Sequence, residues 1–384
     1  MTKKDFFDKL NDHLNANLPF VVYRKPGEQT VKALLQKNAA AYSSTEMKEN
    51  GFLFSPFDLS KGNLLIPVDN SEVLELKDFE ADDKRRGPAM GQGGNSENTN
   101  SEGKQRHLQL VEKAIIRIRE SDLNKVVLSR RERVDFQDVN PLEMFKDLLS
   151  AYPDAFVYCW NHPESGIWLG ASPEVLIKTE GLLFKTMALA GTQNFTGNPD
   201  VKWGEKEKLE QKIVTDAILE NLNDLRLTEE LNISETYTSR AGGVVHLRTD
   251  ISGKMGSPEN LETLINTLHP TPAVCGFPRE KARDFIVKEE GYDREYYTGF
   301  LGELNFQEQV LRPGGNRRNI ENLAYKTVRK RSALYVNLRC MKLEINQALI
   351  FVGGGITEDS VPENEFLETV NKAQTMRKVL RKYI

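Results

Sequence analysis

Residues 351–376, FVGGGITEDSVPENEFLETVNKAQTM, set three glycines ahead of Glu365, Glu368 and Lys372, which recur at three- and four-residue spacing. On a helix these three side chains fall within about 60° of one another, because one turn takes 3.6 residues. Glycines without a Cβ let a ligand approach the backbone and meet its N–H groups. The run is neither a phosphate loop, since no Gly-Lys-Ser/Thr follows, nor GxGxxG. Taken alone it also fits a plain tight turn. GEKEKLEQKIVTDAILENL, residues 204–222, repeats the acidic device with Glu207 and Glu210, whose row continues into Val214 and Ala217. Carboxylates gathered from two helices repel unless a hard cation sits between them. Mg2+ suits such a set, because it takes oxygen ligands and needs only one or two carboxylates when a substrate completes the octahedron. Both rows also fit solvated helix faces carrying Glu–Lys pairs.

The elements that must position these groups are legible in outline. FVVY, GFLFSPF and GNLLIP read as strands within residues 1–80, after an amphipathic start. HLQLVEKAIIRIRESD has the apolar spacing of a helix. Strand-like runs follow at KVVLSRRERV, AFVYCW, GIWLGASPEVLIKT and GLLFKTMALAG, then at GGVVHLRTDISG, SALYVNLRCMKL and QALIFVGGG. Long helices are predicted over Lys206–Leu225 and Pro362–Tyr383, the latter with proline at its first position. Strands and helices mix without βαβ alternation, which predicts an α+β fold with antiparallel sheets. Residues 82–107, rich in Gly, Asn, Ser and charge, read as a mobile loop. The basic segment 306–332 reads as a solvated hairpin or loop.

With 384 residues the chain is long enough for a substantial core. Its net charge of −4 gives no reason to expect nucleic acid or an anionic membrane as partner. MTKKDFFDKL is charged from the start and lacks the apolar centre of a secretory leader. No apolar run approaches the roughly 20 residues of a membrane span. Cys159, Cys275 and Cys340 are scattered without CxxC spacing, which argues against zinc or a disulfide framework and fits a cytoplasmic protein. The five histidines form no ligand cluster, so a metal must rely on oxygen.

Eight motifs stand together in one order: KVVLSR (125–130), ASPEVL (171–176), LAGTQ (189–193), KEKLEQ (206–211), LHPTPAVCGFP (268–278), YYTGFLGE (296–303), NLRC (337–340) and GGGITEDSVPENEFLETVNKAQTM (353–376). In this combination the sequence resembles the chorismate-utilising enzymes, from about residue 105 to the C-terminus. The resemblance implies a single large α+β domain: two antiparallel sheets packed as a sandwich, with helices outside. Residues 105–384 would be the chorismate-binding catalytic region, and 1–104 a variable N-terminal part of the same fold. It further implies Mg2+ on the ring carboxylate of chorismate, with Glu210 and Glu368 as ligands and Glu207 and Glu365 holding metal-bound waters.

Within that family the resemblance points to the isochorismate synthase branch. The lysine nucleophile of the aminodeoxychorismate branch has no counterpart, since Ala190 occupies that position. Lys125 stands where aminating members usually have glutamine, and a lysine there can take a proton from water. Glu174 is the matching general acid for the departing 4-hydroxyl. Arg339, placed in the strand YVNLRC, and Tyr297 would grip the enolpyruvyl carboxylate, with N–H donors from Gly353, Gly354 and Gly355. Lys372 would balance the carboxylates. His269 and Thr192 would line the ring pocket, and Ala273 and Val274 would shape it. The expected product serves menaquinone or siderophore biosynthesis, menaquinone being favoured. The expected protein is a monomer without a glutaminase subunit. Salicylate synthase, which goes on to eliminate pyruvate, keeps the same residues and stays open, as does a relative that only binds.

Overall fold

The computed structural model describes residues 1–80, 101–137, 139–195, 197, 201–224, 228–241, 244–310 and 327–384. The chain opens with α1 (Lys3–Asn15), β1 (Phe20–Arg24), β2 (Val31–Gln36), β3 (Gly51–Ser55), β4 (Leu64–Pro67) and β5 (Ser71–Leu76). Next come α2 (Ser101–Arg119), β6 (Lys125–Asp135), α3 (Pro141–Ala151), β7 (Phe156–His162), β8 (Gly166–Ser172), β9 (Val175–Glu180) and β10 (Leu183–Asn194). Then follow α4 (Glu205–Asp224), β11 (Thr228–Ile233), β12 (Tyr237–Ala241), β13 (Val244–Met255), α5 (Asn260–Leu268), β14 (Gly276–Phe277) and α6 (Arg279–Glu289). The last elements are β15 (Phe300–Val310), β16 (Thr327–Val336), β17 (Cys340–Glu344), β18 (Gln347–Ile356) and α7 (Pro362–Leu380).

One sheet has the order β14-β6-β18-β17-β8-β7-β1-β2-β5, the other β11-β13-β10-β9-β16-β15-β3-β4 with β12 on β13. Every described ladder is antiparallel. The period-2 geometry of a strand explains how both faces are used. On β1, Phe20 and Val22 face α1, α3 and α7, while Val21 and Tyr23 face the second sheet. On β7, Val157 and Cys159 point outward to the helices, and Phe156, Tyr158 and Trp160 point inward. The layer between the sheets is therefore largely aromatic; Phe156 stacks on Tyr335 at 4.1 Å. On the far side, α4 and α5 cover the second sheet through Val214, Ile218, Leu264 and Ile265. The fold is a helix–sheet–sheet–helix sandwich. Strands from the first 80 residues complete one edge of each sheet.

The structure departs from the sequence reading in several places. VKALLQ and SEVLEL form β2 and β5, and α3, α5 and α6 fill stretches to which no helix was assigned. Residues 101–107 belong to α2, where burial of His107 anchors the turn, so the loop expected over 82–107 does not include them. The rest of that segment, 82–100, lies outside the described residues. The flanks of 306–332 pair from Phe306↔Arg331 to Val310↔Thr327, the two arms of a hairpin whose residues 311–326 lie outside the description. The three glycines do not make a turn. They lie in β18, where Gly353, Gly354 and Gly355 pair with Ser129, Leu128 and Val127 of β6.

Candidate active site

Two connections pass from one sheet to the other side by side. Between β8 and β9 the chain crosses at Pro173-Glu174, and between β16 and β17 it crosses back at residues 337–339. They are tied together: Val336 N–H donates to the Glu174 carbonyl at 3.0 Å, and Ala171 N–H donates to the Arg339 carbonyl at 3.0 Å. Arg339 therefore sits in a crossover and not, as expected, within a strand. Its φ of +48° is a left-handed conformation that costs a non-glycine residue energy. The tied corner holds it there, with its guanidinium within reach of the Lys372 carbonyl of α7.

The mouth at this end is a cleft of about 700 Å³, counted to its open side. Its lining brings together Glu174, Thr192, Glu210, Ala273, Val274, Tyr297, Arg339, Gly353, Gly355, Glu368 and Lys372, all singled out from sequence. The glycine strand explains the approach. A Cβ on Gly355 would lie 2.5 Å from Glu210 Oε1 and 3.0 Å from Lys125 Cε. One on Gly353 would lie 2.7 Å from the Leu128 carbonyl and 3.0 Å from the Tyr297 hydroxyl. Strand alternation puts Gly354 on the other face, away from the cleft and toward α7.

Lys125 opens β6 and is fully buried. Its ammonium meets Glu210 Oε1 at 2.9 Å but has no hydrogen bond of good geometry among the described residues. Burial pushes the Glu210 carboxyl up, yet the opposing charge of Lys125, then Lys372 and Lys206, brings it below its ordinary value. Lys372 contacts Glu368 at 2.6 Å and donates to the Gly353 carbonyl at 2.9 Å. Arg339 donates to the Lys372 carbonyl at 3.2 Å, joining the crossover to α7. Glu174 is buried, and burial raises its carboxyl to about 7 despite a 3.3 Å hydrogen bond from Thr271 and the charges of Lys125 and Lys372.

Besides Gly354, three expected residues stand elsewhere. The His269 ring nitrogen Nε2 donates to the Phe57 carbonyl at 3.0 Å, and the ring packs edge-on against Phe300 at 5.0 Å, behind the cleft and not on its lining. Its N–H is spent on the backbone, and burial lowers its pKa to about 4. Glu207 rests its Cβ against Gly191 and turns its carboxylate back toward Gly204 at the start of α4. Glu365 is buried and paired with Lys206 of α4 at 2.5 Å, off the lining.

The remaining donor set suits a hard cation. Glu210 and Glu368 offer only carboxylate oxygen from two helices onto one cleft, and the missing Cβ of Gly355 leaves Glu210 its place. Among the described residues no three acidic, histidine or cysteine side chains gather as a metal cage. That is compatible with Mg2+, which binds through one or two carboxylates and keeps its other positions for substrate and water.

The sequence reading passed over His246, Thr271 and Lys206. The first had a signal. Gly191 interrupts an apolar strand run, which is how a bulge announces itself. Residues 191 and 192 of β10 oppose the single residue His246 of β13, and Gly191 has φ +68°. The bulge turns Thr192 and His246 toward the cleft. Lys206 stands beside the acidic row that was read, but only the docking of α4 on α7 shows its partner.

Comparison with known proteins agrees with this architecture. Residues 69–310 and 323–378 match two family models, both described as chorismate binding enzyme. Isochorismate synthase EntC of Escherichia coli (strain K12) is 30% identical over 285 residues, covering 71% of this chain and 66% of that protein. Isochorismate synthase MenF of the same strain is 30% identical over 284 residues, 71% of this chain and 59% of that protein. The chain thus spans less than two thirds of the length of these curated relatives. The crystal structure of DhbC from Bacillus anthracis shares the fold. It superposes with a TM-score of 0.73 at 22% identity, over 96% of this chain and 99% of that one.

Proposed function

Because the chain belongs to the chorismate binding enzyme family, we propose that it converts chorismate to isochorismate. The observation that carries this reading is the company Glu174 keeps. A carboxyl that holds its proton to about pH 7 shares a cleft with cationic groups suited to a dicarboxylate. Chorismate carries two carboxylates, and Arg339 and Lys372 supply positive charge on the lining, Arg339 as a planar fork that can bind one of them in a bidentate manner. Tyr297, beside Gly353, would complete that grip.

The chemistry then follows from proton positions. Lys125 acts as base once its ammonium has released a proton: neutral Nζ takes a proton from water as the water oxygen bonds to ring carbon 2. The ring double bonds shift, and the carbon–oxygen bond at carbon 4 breaks. Glu174 gives its proton to the departing oxygen, which leaves as water. One water enters and one leaves, so the sum is an isomerisation. After turnover Lys125 loses that proton and Glu174 regains one by exchange with solvent. A hydroxide is a poor leaving group, and the raised pKa of Glu174 supplies the remedy near neutral pH. Mg2+, held by Glu210 and Glu368, would neutralise the ring carboxylate and fix its orientation. The product would serve menaquinone or siderophore biosynthesis. No helix among the described residues is long and apolar enough to cross a membrane.

Chromatography of the products formed from chorismate and Mg2+ tests the reading. Isochorismate as the sole product is expected, and chelation of the metal should abolish its formation. Pyruvate and salicylate would move the assignment to salicylate formation. Unchanged chorismate would reject turnover altogether.

A further inference from the structure

We infer that Thr271 is a positioning residue for the general acid: its hydroxyl holds Oε1 of Glu174, so that Oε2 carries the proton given to the departing hydroxyl; this rests on the reading above. Thr271 is buried in the segment between α5 and β14, and its hydroxyl lies 3.3 Å from Glu174 Oε1. Glu174, Ala273 and Val274 line the cleft and Thr271 does not, so it reaches the carboxyl from outside the cleft. The segment that carries it is anchored at both ends. The His269 ring donates to the Phe57 carbonyl at 3.0 Å. The Arg294 guanidinium donates to the Val274 carbonyl at 3.0 Å and to the Val127 carbonyl of β6 at 2.7 Å. Between these anchors the Thr271 carbonyl accepts from the Val274 and Cys275 N–H groups, each at 3.0 Å. Pro272 restricts Thr271 to extended backbone, and branching at its Cβ stiffens χ1.

Satisfaction of the buried hydroxyl decides which oxygen holds the proton. Among the described residues, Glu174 Oε1 is the one hydrogen-bond partner of the Thr271 side chain. Were Oε1 to carry the proton and donate it, the Thr271 hydrogen would stay buried without an acceptor, at a cost. The hydroxyl therefore donates, Oε1 acts as the carbonyl oxygen, and the acid proton belongs to Oε2. The same bond serves the transfer. When Oε2 passes its proton to the oxygen leaving carbon 4, the carboxyl becomes a carboxylate. Thr271 keeps its own hydrogen, and its bond to Oε1 becomes charge-assisted and stronger. An interaction that strengthens as charge develops speeds the step. Thr271 exchanges no proton with the substrate and acts only through Glu174.

The test separates this role from a structural one. Thr271→Val keeps the shape and removes the donor, whereas Thr271→Ser keeps the donor. We expect Thr271→Val to lower kcat about tenfold with KM little changed, the scale of one lost hydrogen bond, and Thr271→Ser to recover most of the loss. Donation by Thr271 favours the charged carboxyl, so the falling limb of kcat/KM should move to higher pH in Thr271→Val and stay in place in Thr271→Ser. The charged groups around that carboxyl are Lys125 of β6, Glu210 of α4, Arg339 of the crossover, and Glu368 and Lys372 of α7; every Thr271 variant retains them. In a Glu174→Gln background, Thr271→Val should lower the residual rate no further. Infrared difference spectra between acidic and alkaline pH, taken without substrate, should show a protonated-carboxyl C=O band that Glu174→Gln lacks. That band should move to higher wavenumber in Thr271→Val and not in Thr271→Ser. An unmoved pH limb in Thr271→Val, an equal loss in Thr271→Ser, an additive loss in the double variant or an unmoved band would each overturn the inference. Absence of turnover in the wild type would count against isochorismate formation alone, since the infrared band decides Thr271 separately.

Discussion

Two glutamates face one cleft from different walls. Glu174 stands where the chain crosses between sheets, buried, with a hydroxyl as its close partner, and burial lifts its carboxyl to about 7. Glu210 stands on α4 with the Lys125 ammonium at 2.9 Å, and that charge overcomes burial and lowers it. The residue type is the same and the protonation states at neutral pH diverge, because a nearby cation outweighs desolvation in one place and not in the other. The crossover wall can give a proton, while the helix wall offers fixed negative charge. The proposed reaction, which protonates a hydroxyl beside a bound cation, would use both.

The strongest way to break this division is to remove the proton carriers. Lys125→Gln and Glu174→Gln should each lower isochorismate formation by about 10²–10⁴-fold, the usual weight of general acid–base catalysis. Rates on folded, purified variants check this, and a Lys125→Gln enzyme retaining more than about a tenth of wild-type turnover would reject the assigned base. Next comes Gly355→Ala. Its methyl would fall on the flexible end of Glu210 and beside Lys125, so the pair should shift while the strand survives. Activity should drop roughly 100-fold, the scale of an ångström misplacement, with little change in Tm. Gly353→Ala should behave in the opposite way, because its methyl meets the rigid Leu128 carbonyl and the cost appears in Tm.

Arg339→Lys sharpens the binding side of the comparison. Loss of the planar fork should raise KM about tenfold with a smaller effect on kcat, read from initial rates. The mildest effects concern pH. Glu174 must be protonated to act, so kcat/KM should fall as pH rises through about 7, and Glu174→Gln should lack that limb in its residual activity. Stability carries the same sign. The folded carboxyl titrates above its ordinary 4.5, so its contribution is intact below 4.5 and is lost as pH rises to about 7. Across that window the wild-type Tm should fall by roughly a few degrees more than that of Glu174→Gln, as calorimetry would show.

The sequence by itself determined the fold class, the main strands and the two acidic helices, because periodicity and turn chemistry are local properties of the chain. It also put most of the cleft residues forward, since Glu210, Glu368 and Lys372 repeat at helical spacing and the ordered motifs supplied Lys125, Glu174 and Arg339. What it could not supply were relations between distant segments. The glycines read as a turn because nothing nearby shows that Val127–Ser129 pairs with them and that Glu210 fills the room a Cβ would take. His269 read as a pocket residue, and only the fold brings the Phe57 carbonyl to accept its N–H. His246 escaped notice because its place on the cleft comes from its position opposite residues 191 and 192, a relation that only the paired strands create. Glu174 and Glu210 are alike in sequence; tertiary structure made them an acid and an anion, because protonation depends on which charges and how much water surround a carboxyl.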